Sequence, residues 1–197
     1  MGDDVGAPVL VVGHERSGTT WVGRVLASTP GTSYLGEPDH PRLGAFANRA
    51  VQGLGSHPVL GAADPAPADY ARLWDVAFGA PVRIVRGQGR LSAALFAGTS
   101  DDERFAASHP LHPRVTARLR AAQITAVPRN RAGDFSSRIV KSVRAQLALD
   151  WICARWSPTV VVCRRHPLDV VASALAVDIE SGLDWLAPAA HARARVF

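Results

Sequence analysis

The chain has 197 residues, 47% of them hydrophobic and 20% charged, with a formal charge of +5 and two cysteines. This balance predicts one sizeable core in a single domain, 1–197, and excludes disordered, collagenous and disulfide-stapled classes. No apolar run approaches the roughly 20 residues of a membrane span.

The opening MGDDVGAPVL is acidic and short. It reads as neither a secretory signal nor a myristoylation site, so a cytoplasmic protein is expected. Cys153 and Cys163 lack CxxC partners and read as reduced, buried small hydrophobes. Arginine is spread along the chain rather than gathered into runs, and aromatics are 7%. That pattern predicts a diffuse basic surface or a focused site for one small polyanion, with no nucleic-acid groove. Lys141 is the only lysine.

In chain order, APVLVVG (7–13) is a short Val-rich apolar run, the pattern of a strand buried on both faces of a parallel sheet. A glycine loop follows, and TTWVGRVLAS (19–28) then places Trp21, Val25 and Leu26 at helical spacing until TPG stops it. TSYLGE (32–37) reads as a second strand ending at Glu37, where PDHP forbids further regular structure. From about 39 to 135 the pattern weakens. DYARLWDVAFG (69–79), SAALFAG (92–98) and HPRVTARLRAAQI (112–124) are helical pieces, and GAADPAPADY is a surface loop. This section reads as an insertion over an α/β core, a place where acceptor specificity resides.

The strand–helix rhythm returns with SRIVK (137–141) as a strand and SVRAQLALDWICARW (142–156) as one helix, with Val143, Leu147, Ile152 and Trp156 near one face. PTVVVC (158–163) reads as a buried strand, and HPLDVVASALAV (166–177) as a helix opened by Pro167 with help from His166. The expected class is α/β: a three-layer α/β/α fold with a central parallel sheet, of the P-loop nucleoside-triphosphate-hydrolase type. Ligands of such sheets bind at the carboxyl ends of the strands. Arg16, Glu37, Lys141 and Arg165 all follow or end predicted strands, and are expected to converge there.

Gly13 and Gly18 flank four residues, as in a phosphate loop, but Thr19 stands where GxxxxGK[ST] has its lysine. The loop N–H groups and the helix N-terminus still form an anion site, to which Ser17, Thr19 and Thr20 add hydroxyls. Without that lysine, a phosphoryl group carrying magnesium loses a main charge partner. A sulfuryl group carries less charge and needs no metal, and Arg16 can neutralise the leaving phosphate.

RSGTTW (16–21) resembles the 5′-phosphosulfate loop of sulfotransferases that use 3′-phosphoadenosine 5′-phosphosulfate. The resemblance implies that Arg16, Ser17, Gly18, Thr19 and Thr20 hold the 5′-phosphosulfate and that Trp21 stacks on adenine. VVVCRRHPLDVVASAL (160–175) resembles the family's 3′-phosphate element, which implies that Arg165 and Ser173 bind that phosphate. SYLGEPDHP is similar to the Gly-Glu segment of the bacterial and tyrosyl-protein branch, which makes Glu37 the general base. RIVKSVRA resembles the lysine-bearing strand of the cytosolic branch, which implies that Lys141 contacts the sulfuryl group. Val143 occupies that branch's histidine position, so the proton falls to Glu37; Ser142 is a weaker candidate contact.

The resemblance covers 8–37 and 138–178. After Val177 no clear counterpart of the family's later segments follows, so the chain reads as C-terminally shortened. No metal site is expected; His14 sits in a tolerant loop position, and His109 and His112 form a loop pair. The implied reaction is sulfuryl transfer to a hydroxyl of a small-molecule or carbohydrate acceptor. Two alternatives stay open: a small-molecule kinase with a degenerate loop, and a non-catalytic adenosine-bisphosphate-binding module.

Overall fold

The computed structural model describes residues 6–65, 67–80, 88–108, 115–128 and 135–177. Four strands, β1 (Val9–Gly13), β2 (Thr32–Gly36), β3 (Ser137–Ser142) and β4 (Thr159–Cys163), form one sheet in the order β2-β3-β1-β4. Every pairing is parallel, with Val11 opposite Lys141 and Val161, and Gly36 opposite Lys141. Helices flank this sheet, giving the three-layer α/β architecture expected of a P-loop-like fold.

The period of two in a strand decides what each face carries. Leu10, Val12 and Val140 point into the larger core. Val11, Ile139 and Lys141 alternate with them and lie buried on the opposite face, beneath α1 (Thr19–Leu26). That helix turns Thr19 and Gly23 to the sheet, while Trp21 and Val25, noted at helical spacing, are exposed. It packs so close to the sheet that a Cβ on Gly23 would stand 2.7 Å from Tyr34 Cε2. Only small side chains fit that gap, so Trp21 is turned outward and 70% exposed.

Residues 39–135 are more than a loose insertion. They supply α2 (Ala45–Ala50), α3 (Ala68–Ala77), α4 (Gln88–Ala97), α5 (Asp101–Ser108) and α6 (Ala117–Ile124). The sequence patterning anticipated neither α2 nor α5. Tyr70 and Trp74 of α3 are fully buried, and the Tyr70 ring lies 5.5 Å from that of Trp151 in α7 (Leu149–Trp156). Each such aromatic contributes about 1.5–3 kcal/mol by burial. Asn48 and Gln123, both buried, satisfy each other through a 2.8 Å hydrogen bond. His109 and His112 lie outside the described residues.

Two further expectations are corrected. The helix expected over 142–156 is divided: a turn follows β3, then a 3-10 turn at Ala145–Ala148 and only then α7. The cause is local, because Ser142 Oγ accepts the N–H groups of both Arg144 (3.0 Å) and Ala145 (3.1 Å) and so starts a new turn. β4, expected to be buried, lies at the edge of the sheet among the described residues, with Val162 59% exposed. Helix α8 (Pro167–Leu175), which follows it, has no fully buried residue. His166 does open α8 as expected, its Nδ1 accepting the Leu168 N–H. The cysteines are free but only half-buried.

Candidate active site

The loop between β1 and α1 is shaped by backbone conformation. Ser17 N–H donates to His14 O at 3.1 Å and Ser17 Oγ donates to the same carbonyl at 2.6 Å, closing a tight turn. Arg16 (φ 66°) and Gly18 (φ 93°) both take left-handed conformations, which aims the following N–H groups toward one point. Gly13 admits no side chain, since a Cβ there would meet Cys163 O at 2.5 Å and Ser17 Oγ at 2.7 Å. Gln146 Nε2 donates to Gly13 O at 2.7 Å and ties the loop to the turn after β3. Thr19 is buried under the loop, while Thr20 and Trp21 are exposed.

The two distant basic elements meet here. Arg16 Nε donates to Ser173 Oγ of α8 at 2.9 Å, across 157 residues of sequence. Arg165, just past β4, reaches Arg16 O at 3.4 Å, and its other neighbour is Asp169 at 3.9 Å. Both arginines are exposed. The Arg16 Nη groups have no protein partner among the described residues. The guanidinium of Arg165 therefore stands beside the glycine turn, on the side where α1 presents its N-terminus.

Glu37 lies one residue beyond β2, in a left-handed conformation (φ 51°) that non-glycine residues rarely adopt. Its N–H donates to Lys141 O at 2.7 Å, continuing the β2–β3 pairing by one step. Its side chain forms an ion pair with Lys141 Nζ through Oε1 and accepts the Val143 N–H through Oε2 at 3.2 Å. Val143 thus serves the carboxylate through its main chain.

Behind Glu37 lies a group that sequence reading missed. Asp39 is completely buried, and Ser142 Oγ lies 2.8 Å from each of its carboxylate oxygens. Burial, reinforced by the Glu37 charge, raises its pKa to about 7 against the opposing effects of Ser142 and Arg144. Arg144 Nη1 donates to Ser56 O at 3.1 Å, and its Nη2 lies 3.6 Å from Glu15 of the loop. Its Nε is buried without a partner among the described residues.

His40 and His57 flank this guanidinium. Burial and then the Arg144 charge push His40 down to about 4 and His57 to about 3. Both rings are thus neutral at pH 7. His14 remains exposed, its Nδ1 2.8 Å from Glu15 O. Among the described residues no group of three or more His, Cys, Asp or Glu is placed to hold a metal. No helix among them is long and apolar enough to cross a membrane.

Nothing in the spacing of PDHP marks Asp39 as different from a surface turn aspartate. Only the parallel pairing of β2 with β3 sets it against Ser142. Arg144, Ser56 and His57 come together in the same way, through chain segments far apart in sequence.

A family model described as the sulfotransferase family matches residues 8–187. The chain belongs to the sulfotransferase family. No curated protein and no solved structure matches it significantly. The bounds of the match to this sulfotransferase chain enclose residues 39–135 and extend past Val177. It is therefore wider than the two segments, 8–37 and 138–178, in which the motifs are legible. The five helices of the middle section fall inside the matched region.

Proposed function

We propose that the protein transfers the sulfuryl group of 3′-phosphoadenosine 5′-phosphosulfate to a hydroxyl of a small-molecule or carbohydrate acceptor. The observation that carries this reading is the joining of Arg16, Ser173 and Arg165 at the glycine turn. A donor with phosphates at both ends of one nucleoside needs two adjacent cationic grips, whereas ATP needs only one. The residues fit such a donor. The α1 N-terminus and the Ser17–Thr20 hydroxyls and N–H groups would hold the 5′-phosphosulfate. Arg165 and Ser173 would hold the 3′-phosphate, and the exposed Trp21 would cover adenine.

In the transfer, the acceptor oxygen attacks sulfur in line with the bridging oxygen of the donor. A new O–S bond forms, and the bond from sulfur to the bridging oxygen breaks. The electron pair of that bond leaves with 3′,5′-adenosine bisphosphate, and the acceptor proton passes to Glu37. Arg16 neutralises the leaving phosphate, and Lys141 the sulfuryl oxygens. The neutral His40, beside Arg144, and the helices of 39–135, which follow Glu37 in the chain, would serve the acceptor.

Calorimetric titration tests the donor. Adenosine 3′,5′-bisphosphate should bind at least ten times more tightly than ATP·Mg, and Arg165→Ala should remove that preference. Equal binding of the two, or a requirement for magnesium, would make the protein a kinase. Binding of the bisphosphate without turnover of labelled donor on a panel of hydroxyl acceptors would make it a binding module.

A further inference from the structure

Lys141 is the only lysine in the chain, and its ammonium is engaged by Glu37 Oε1, with both side chains nearly buried. The second carboxylate oxygen accepts the Val143 N–H. The proposed base is thus engaged at both oxygens before any acceptor arrives, and the charge that would draw the acceptor's proton is neutralised. The cation proposed to steady the sulfuryl group is committed to the base at the same time. These two roles compete for one ion pair.

Resting on the donor reading above, we infer that Lys141 is an exchangeable counter-ion. Glu37 holds it until the sulfuryl group of the seated donor takes it, so that the base is released only in donor-loaded protein.

The position of Lys141 permits the exchange. Its Cα lies opposite Val11 of β1 on one side and Gly36 of β2 on the other. Its stem runs under α1, where a Cβ on Gly23 would lie 3.6 Å from Lys141 Cβ. Lys141 thus starts between the strand that leads into the glycine loop and the strand that leads to Glu37.

A lysine has a flexible four-carbon stem and three donors, so it can change partners by rotation. The exchange balances in charge, one monoanion (the carboxylate) giving way to another (the sulfuryl group). It follows the rule that a ligand shifts an equilibrium only through contacts it makes in one state and not the other. The bisphosphate product lacks the sulfuryl group and would return Lys141 to Glu37.

Labelling lysine with 15N at Nζ gives a single ammonium signal from this chain, free of overlap. Glu37→Gln should move that signal in ligand-free protein. In wild type, adenosine 3′,5′-bisphosphate should leave it in place, whereas 3′-phosphoadenosine 5′-phosphosulfate should move it. The donor-loaded position should be the same in wild type and Glu37→Gln. If Glu37→Gln fails to fold, the contrast between the two nucleotides on wild type decides alone.

A signal that responds equally to both nucleotides overturns the exchange and leaves the donor reading standing. So does one that stays fixed while calorimetry shows the donor bound. If neither nucleotide binds, the donor reading falls and the exchange falls with it.

Discussion

At the glycine loop the cationic groups stand at the surface with few protein partners, while around Glu37 the charged groups are buried and engaged with one another. Arg16 commits only Nε to Ser173, and Arg165 makes one long contact with Arg16 O and one with Asp169. By contrast Glu37, Lys141, Asp39 and Ser142 form a closed set in which each group is held by another. On the proposed reading, the difference follows from what each end would do. A polyanion arriving from water pairs directly with exposed guanidinium groups, so that end stays open. A proton acceptor must keep its water out and its orientation fixed, so that end is pre-formed and buried.

The largest expected effect removes the closed end's function while leaving the open end untouched. Glu37→Gln should lower turnover of labelled donor on a hydroxyl acceptor by roughly 10²–10⁴-fold, with bisphosphate affinity unchanged. A parallel loss of bisphosphate binding would show that the two ends are not separable. Breaking the open end comes next. Gly13→Ala forces a methyl group onto Cys163 O and Ser17 Oγ, which should cost about 1–3 kcal/mol of stability. The loop must shift to relieve it, so bisphosphate binding should weaken more than tenfold. An unchanged melting temperature together with unchanged affinity would refute the close packing of β1 against β4.

A smaller effect, read through pH, sharpens the contrast within the closed end. The pKa of the Asp39 carboxyl is raised above its ordinary value, so its contribution to stability is complete below about 4 and is lost as pH rises through about 7. Relative to Asp39→Asn, wild type should therefore lose stability across that window, by roughly 1.4 kcal/mol for each tenfold change in proton affinity on folding. His57, lowered to about 3, acts in the opposite sense. Its contribution is present above the ordinary histidine value and is lost as pH falls toward 3. Denaturation midpoints measured from pH 4 to 8 should show the two effects opposing each other between about 4 and 6.5, and Asp39→Asn should remove the falling contribution between about 4 and 7. A flat difference between wild type and Asp39→Asn would mean that this carboxyl is not held protonated.

The parts of the site legible in the sequence were those whose chemistry is local. A Val-rich run, Gly13, Gly18 and a helix start announce an anion loop because the N–H groups that make it are neighbours in the chain. Arg165 and Ser173, eight residues apart across a strand-to-helix junction, were marked by a resemblance within one short segment. Helix α1 shows the limit. Helical spacing grouped Trp21, Val25 and Leu26 without saying which face is buried, and the tight approach of α1 to Tyr34 selected Thr19 and Gly23. β4 shows another, since an apolar run reads alike in a central strand and in an edge strand such as this one.

By itself the chain's order of residues determined the strand–helix alternation, and with it the class of the fold and the end of the sheet where charged groups gather. Those properties depend on periods of two and of 3.6 residues, on glycine and on proline, all of them short-range. Tertiary structure alone decided that Arg16 meets Ser173, that Lys141 is given to Glu37, and that an aspartate in an ordinary-looking turn becomes a buried group with a raised pKa. Each of those depends on which strands lie side by side and how deeply water is excluded between them. Parallel pairing makes that choice across more than a hundred residues, where no local pattern reaches.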